Sequence, residues 1–202
     1  MRPLLGSALL LLSLASQASV PLWQVDPVHS KLLVAVEHAG FSQSLALMPV
    51  STGVLHYDPE QPDSSRVEVV LQPARLDFGD ERWNAAVHGS GLLAVDNYPE
   101  ARFRSDKVTL DQNGDLLIDG TLELRGVSLP LQLRAQRNGQ RRHPLPPFRQ
   151  TVGFSATTSL SRAAFGADAW PDMVGDTVQI RIELEATRDR NAELAPLTPD
   201  QR

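Results

Sequence analysis

The chain has 202 residues, 42% of them hydrophobic and 21% charged, with a formal net charge of −5 and no cysteine. That length suits one domain with a full apolar core. The missing cysteine excludes disulfide scaffolds, thiolate metal sites and cysteine nucleophiles, and the acidic balance argues against a nucleic-acid partner.

Residues 1–18 place Arg2 before an apolar run over residues 4–14, followed by Ser16-Gln17-Ala18. This is the layout of a secretory signal peptide cleaved after Ala18. The run is well short of the roughly 20 residues that a membrane-spanning helix needs. The expected product is exported to the periplasm, soluble, and without a cysteine to carry a lipid anchor.

From residue 19 to 189 the chain reads as one domain of short antiparallel strands. Residues 31–38 alternate, with Leu32, Val34, Val36 and His38 on one side and Lys31, Leu33, Ala35 and Glu37 on the other. The same period of two runs through residues 66–71, 116–125, 127–135, 151–160 and 177–187, and Phe103 sits between two arginines. Such alternation gives each strand one dry and one wet face. Asn113-Gly114 marks a tight hairpin between two of these strands, and Arg125-Gly126 joins the next pair. The stretch from 80 to 88 breaks the pattern. Its acidic first turn and the Gly89 stop predict a helix, and residues 92–95 are expected to form a second helical turn. Residues 137–148 read as a long hairpin loop, and residues 190–202 as a disordered polar tail. Many short strands with one apolar side predict an all-β, up-and-down barrel or sandwich.

Catalytic and metal motifs are weak. Gly89-Ser90-Gly91-Leu92-Leu93-Ala94 matches a dinucleotide fingerprint in letters, but a helical segment, not a strand, precedes it. Asp111, Asn113 and Asp115 resemble the start of a calcium loop whose closing glutamate is missing; a hairpin turn accounts for them. Asp168, Asp172 and Asp176 read as turn and capping residues, and the five histidines show no paired ligand spacing. No catalytic residue, metal ligand or cofactor is assigned. No acidic residue lies between Glu123 and Asp168, whereas arginines recur there, including Arg141 and Arg142. They form either a solvated strand face with its hairpin loop or a phosphate-attracting patch, for the headgroups of a transiently touched membrane surface or for a ligand diphosphate.

Several segments together resemble the YceI-like family of exported proteins. Trp23-Gln24-Val25-Asp26-Pro27-Val28-His29-Ser30 is similar to the family's opening, followed by His38-Ala39-Gly40-Phe41-Ser42 and the Gly53 to Asp58 strand. Tyr98-Pro99-Glu100-Ala101-Arg102-Phe103-Arg104-Ser105, the paired segment from Gly120 to Pro130, and Ser161-Arg162 with Val174-Gly175-Asp176 continue the resemblance in order. Two places depart from it. Ala46-Leu47-Met48 replaces the usual Gly-x-Phe, and Trp83-Asn84-Ala85-Ala86-Val87 replaces an Arg-Asp-x-His-Leu stretch before the lid.

The resemblance implies an extended lipocalin-like, eight-stranded antiparallel barrel with short helical lid segments. It also implies an interior that holds a long isoprenoid lipid or quinone for transport or storage, by a monomer or homodimer. Alternation and aromatic placement then nominate Val34, Val36, His38, Phe41, Met48, Phe103, Phe154, Phe165 and Trp170 as ligand contacts. His38 is placed to hydrogen-bond a quinone oxygen. Two other readings remain open: a redox or enzymatic role on a quinone-like ligand, and a barrel with a filled interior that serves as an interaction or inhibitor module.

Overall fold

The computed structural model describes residues 20–189. The expected signal peptide and the expected C-terminal tail lie outside the described residues. Ten strands make one antiparallel sheet: β1 (Leu22–Val25), β2 (Lys31–His38), β3 (Ser42–Pro49), β4 (Thr52–His56), β5 (Arg66–Leu71), β6 (Ala101–Leu110), β7 (Leu116–Leu124), β8 (Val127–Arg142), β9 (Gln150–Ser161) and β10 (Val174–Arg188). One helix, α1 (Glu81–His88), interrupts them.

Closure follows from the length of β10. Its C-terminal end pairs with β1 through Ala186 and Arg188, while its first part, from Val174 to Glu183, pairs with β2 along the same edge. β1 also pairs with β4, so the ring β1-β4-β5-β6-β7-β8-β9-β10 closes with eight strands. The turn between β1 and β2 is held by Asp26, whose carboxylate accepts from the Val28 and His29 amides. Ser30, fully buried, then replaces a ladder contact, since its hydroxyl donates to the Glu185 carbonyl and accepts from the Glu185 amide. Those two side chains give the Asp-Pro-Val-His-Ser segment a structural purpose.

At the opposite end the barrel splits. The outer edge of β3 meets only an isolated bridge between Leu47 and Asp77, and the connection from β5 to β6 occupies the gap. α1 starts at Asp80, whose carboxylate accepts from the Arg82 and Trp83 amides, and stops at Gly89, as the acidic first turn and the glycine predicted. Asn84 fixes the helix to the barrel by accepting from the Phe78 amide and donating to Asp77.

The expected fold class is correct, with two local corrections. Residues 92–95 form turns rather than a second helix. Ala94 takes a left-handed φ of 49°, and the Leu93 and Val95 amides donate back to Val87 and His88, so the chain folds over the helix end instead of continuing it. The second correction concerns residues 137–148. β8 runs on to Arg142 and β9 begins at Gln150, leaving a short loop of residues 143–149. This extension projects past the barrel rim, so both of its faces are wet and the period-two signal vanishes while the ladder persists.

β3 hides itself in another way. Ser44, Ala46 and Met48 point inward, whereas Leu45 and Leu47 face solvent. Small inward residues on this strand leave room inside the barrel.

Candidate functional site

The inward faces of the strands do not fill the interior. Two apolar chambers remain, of about 470 and 150 Å³. The larger opens at the split end beneath α1, and the smaller lies deeper; Leu32, Leu71, Leu122 and Ile180 line both. A side-chain-filled barrel is therefore not what this sequence builds. The void comes from alternation: Val67, Val69 and Leu71 on β5 face Val178, Ile180 and Ile182 on β10 across it.

Val34, Val36, His38, Met48 and Trp170 line the outer chamber, and Phe103 and Phe154 line the inner one. Phe165 lies behind the lining, packed with Phe103, Leu122 and Leu133. Phe41 stands at the β2–β3 turn with 90% of its surface exposed, away from both chambers. Arg141 and Arg142 are exposed on the β8 extension, beyond the barrel end remote from α1.

The lid contributes lining that strand alternation could not supply. Trp83, Ala86 and Val87 cover the outer chamber from α1, at the three- and four-residue spacing that puts side chains on one helix face. His38 meets Trp83 with ring centroids 5.2 Å apart, and Phe78 lies 6.2 Å from the same indole. The histidine that ends the apolar stripe of β2 thus touches the lid directly. Asp77 holds the hinge, and the bonds from Asn84 and the Gly79 amide keep its carboxyl below the usual range.

Arg162 is a residue of the mouth whose role strand alternation does not reveal. It is 7% exposed and engages four backbone carbonyls. Its Nε donates to Gly175 at 2.9 Å, one terminal nitrogen to Ala167 and to Ala169 at 2.9 Å, and the other to Val174 at 2.6 Å. The Ala167 and Ala169 carbonyls belong to the loop that carries Trp170 and Met173 to the mouth, and those of Val174 and Gly175 to the start of β10 that follows it. Asp176 caps the adjacent turn by accepting from the Ala163 amide, and the Ser161 hydroxyl and that amide hold its carboxyl below the usual range.

At the inner end several polar side chains are also engaged. Burial pushes the His56 imidazole below its ordinary value against a backbone bond to Val20, and burial raises the Tyr57 phenol, which Arg137 approaches. Asp111 and Asp115, the residues reminiscent of a calcium loop, both pair with Arg134, and Asp111 closes the hairpin by accepting from the Asn113 and Asp115 amides. Among the described residues no cluster of three histidine or carboxylate side chains is arranged to hold a metal ion. The arrangement is suited to enclosing an apolar molecule: two dry chambers in series, with polar atoms concentrated at their ends.

A profile of the YceI-like domain matches residues 23–186. Among curated relatives, a UPF0312 protein of Shewanella sp. strain W3-18-1 is 27% identical over 179 residues, covering 89% of this chain and 93% of that protein. A UPF0312 protein of Shewanella oneidensis is 25% identical over 163 residues, 81% of this chain and 84% of the relative. Among solved structures, BcnA of Burkholderia cenocepacia superposes with a TM-score of 0.71 at 20% identity, over 81% of this chain and 99% of that one. A polyisoprenoid binding domain from Saccharophagus degradans, implicated in plant cell wall breakdown, gives 0.55 at 13% identity, over 83% and 98% of the two chains. Both likenesses are of fold.

Proposed function

We propose that this chain, which belongs to the YceI-like family, is an exported binding protein that holds the hydrocarbon tail of an isoprenoid lipid or quinone inside its barrel, for transport or storage. The observation that carries this reading is the pair of apolar chambers in series, about 470 and 150 Å³, roofed by α1. Moving an apolar chain out of water yields about 0.8 kcal/mol per CH₂, so a dry tube binds such a tail without any catalytic group. The polyisoprenoid binding domain with the same fold lends support, and residues 1–18 support periplasmic export. Enzymatic use of a quinone is the weaker reading. Arg162, the cation at the mouth, is committed to backbone carbonyls, and the lining around it is mostly apolar.

Native mass spectrometry of the purified protein, followed by organic extraction, should reveal a co-purified isoprenoid lipid. A protein that carries none and takes up no isoprenoid analogue would end the carrier reading.

Membrane contact belongs to the far end. Arg141, Arg142 and Arg149 surround a hairpin tip where Leu145 and Phe148 are 64% and 53% exposed, a combination that suits an anionic bilayer surface. Vesicles containing phosphatidylglycerol should bind the protein in a salt-sensitive way, several-fold less after Arg141→Ala with Arg142→Ala. Binding indifferent to both changes would leave the arginines as a solvated face. Docked by this tip, the protein turns its lidded mouth away from the bilayer, so ligand exchange with the membrane requires release or reorientation.

A further inference from the structure

Ser65 precedes β5 at the inner end of the barrel. It is 6% exposed, it borders the inner chamber, and its hydroxyl is the one buried side-chain polar atom among the described residues without a hydrogen-bond partner. Its backbone is fully used: the amide donates to Pro62 and the carbonyl accepts from Arg66. The buried hydroxyls of Ser30 and Ser105, by contrast, are both bonded. An orphaned buried hydroxyl carries an uncompensated desolvation penalty.

The surroundings offer it nothing. Of the other polar residues bordering the chamber, Thr158 donates to the Gln132 carbonyl, Arg66 to the carbonyls of Asp63 and Ser65, His56 is bonded to the Val20 backbone, and the Tyr57 phenol is bonded to Arg137. The remaining wall is formed by side chains such as Leu55, Val67, Phe103 and Ile182. A buried water needs two to four polar partners, so a water held by Ser65 alone is poorly stabilised. An oxygen covalently attached to an apolar chain is different, because burial of the chain brings it there.

We propose that Ser65 hydrogen-bonds the oxygen-bearing end of the ligand, so that the neutral head lies innermost and the tail runs out toward α1. This rests on the carrier reading and narrows its ligand class. A chamber of about 150 Å³ matches the size of a cavity known to take one benzene ring, so it accommodates a hydroxyl terminus or a single quinone ring. A diphosphate is disfavoured, since Arg66 donates to the Asp63 and Ser65 carbonyls and one hydroxyl cannot offset the burial of its charge. The ligand is an isoprenoid alcohol or quinone.

The test compares geranylgeraniol, the matching hydrocarbon without oxygen, and geranylgeranyl diphosphate, on the full chain and on Ser65→Ala. The wild-type protein should bind the alcohol about tenfold more tightly than the hydrocarbon, the worth of one buried hydrogen bond, and the diphosphate most weakly. Ser65→Ala should erase the alcohol's advantage, leave hydrocarbon binding unchanged and leave the melting temperature equal or higher. A variant that keeps the preference for the alcohol overturns the proposal while sparing the carrier reading. So does a lowered melting temperature, which would reveal a protein partner for the hydroxyl, or a diphosphate that binds as well as the alcohol. Failure of all three probes to bind the wild-type protein overturns both.

Discussion

Val34→Trp should empty the barrel of ligand without unfolding it. Val34 lies in the middle of β2, 8% exposed, with its side chain toward the outer chamber and its backbone in register with Ile180 and Ala46. An indole there grows into existing void, so the usual overpacking cost of about 1–3 kcal/mol is largely avoided and the melting temperature should hold or rise. Each CH₂ of ligand displaced costs about 0.8 kcal/mol. Displacing two of them already weakens binding by about tenfold, and a side chain of this size displaces more. Leu33→Trp is the control. Its neighbour position points outward and is 37% exposed, so the same indole one residue away should leave uptake of a fluorescent isoprenoid analogue unchanged. Equal effects at the two positions would mean that the barrel interior is not where the ligand lies.

That contrast between adjacent residues also shows why so much was readable from sequence alone. Where a strand has one dry and one wet face, period two identifies the lining directly. β2 and β5 match the expected spans residue for residue, 31–38 and 66–71, and their inward residues are those the alternation selected. The signal failed where residue type did not follow the pleat. β3 turns leucines outward and small residues inward, β1 and β4 are too short to show a period, and the end of β8 is wet on both faces. Phe41 has the aromatic character of a lining residue, yet a turn position places it in solvent. The lid was readable as a helix through Asp80 and Gly89. Its lining face was not assigned, because that depends on how Asn84 seats it over the barrel. Contacts between a side chain and distant backbone atoms leave no periodic trace at all. Arg162 belongs to that class, and Ser65, whose hydroxyl has no partner, leaves no such trace either; the two occupy opposite ends of the cavity.

Arg162→Ala should be the most destabilising single change at the mouth. The guanidinium is a buried cation whose donors are spent on the carbonyls of Ala167, Ala169, Val174 and Gly175, and bonds to a charged group are worth about 1.5–3 kcal/mol each. Truncation leaves those carbonyls to whatever water can enter. Allowing for that water, the loss should still reach about 3 kcal/mol, which for a domain of this size lowers the melting temperature by about 6–12 °C. Arg162→Lys should recover little, because an ammonium presents a point charge where the loop requires a planar fork reaching four oxygens. The loop it organises brings Trp170 and Met173 to the outer chamber, so both variants should also release a bound isoprenoid analogue faster than the wild-type protein does. Circular dichroism melting and a ligand-dissociation time course separate the two consequences. A lysine variant as stable and as slow to release as the parent would show that charge alone suffices at this position. The observed geometry argues otherwise: what the mouth needs from residue 162 is the directional reach of one rigid side chain, which ties a loop with no strand partner of its own to the end of the barrel.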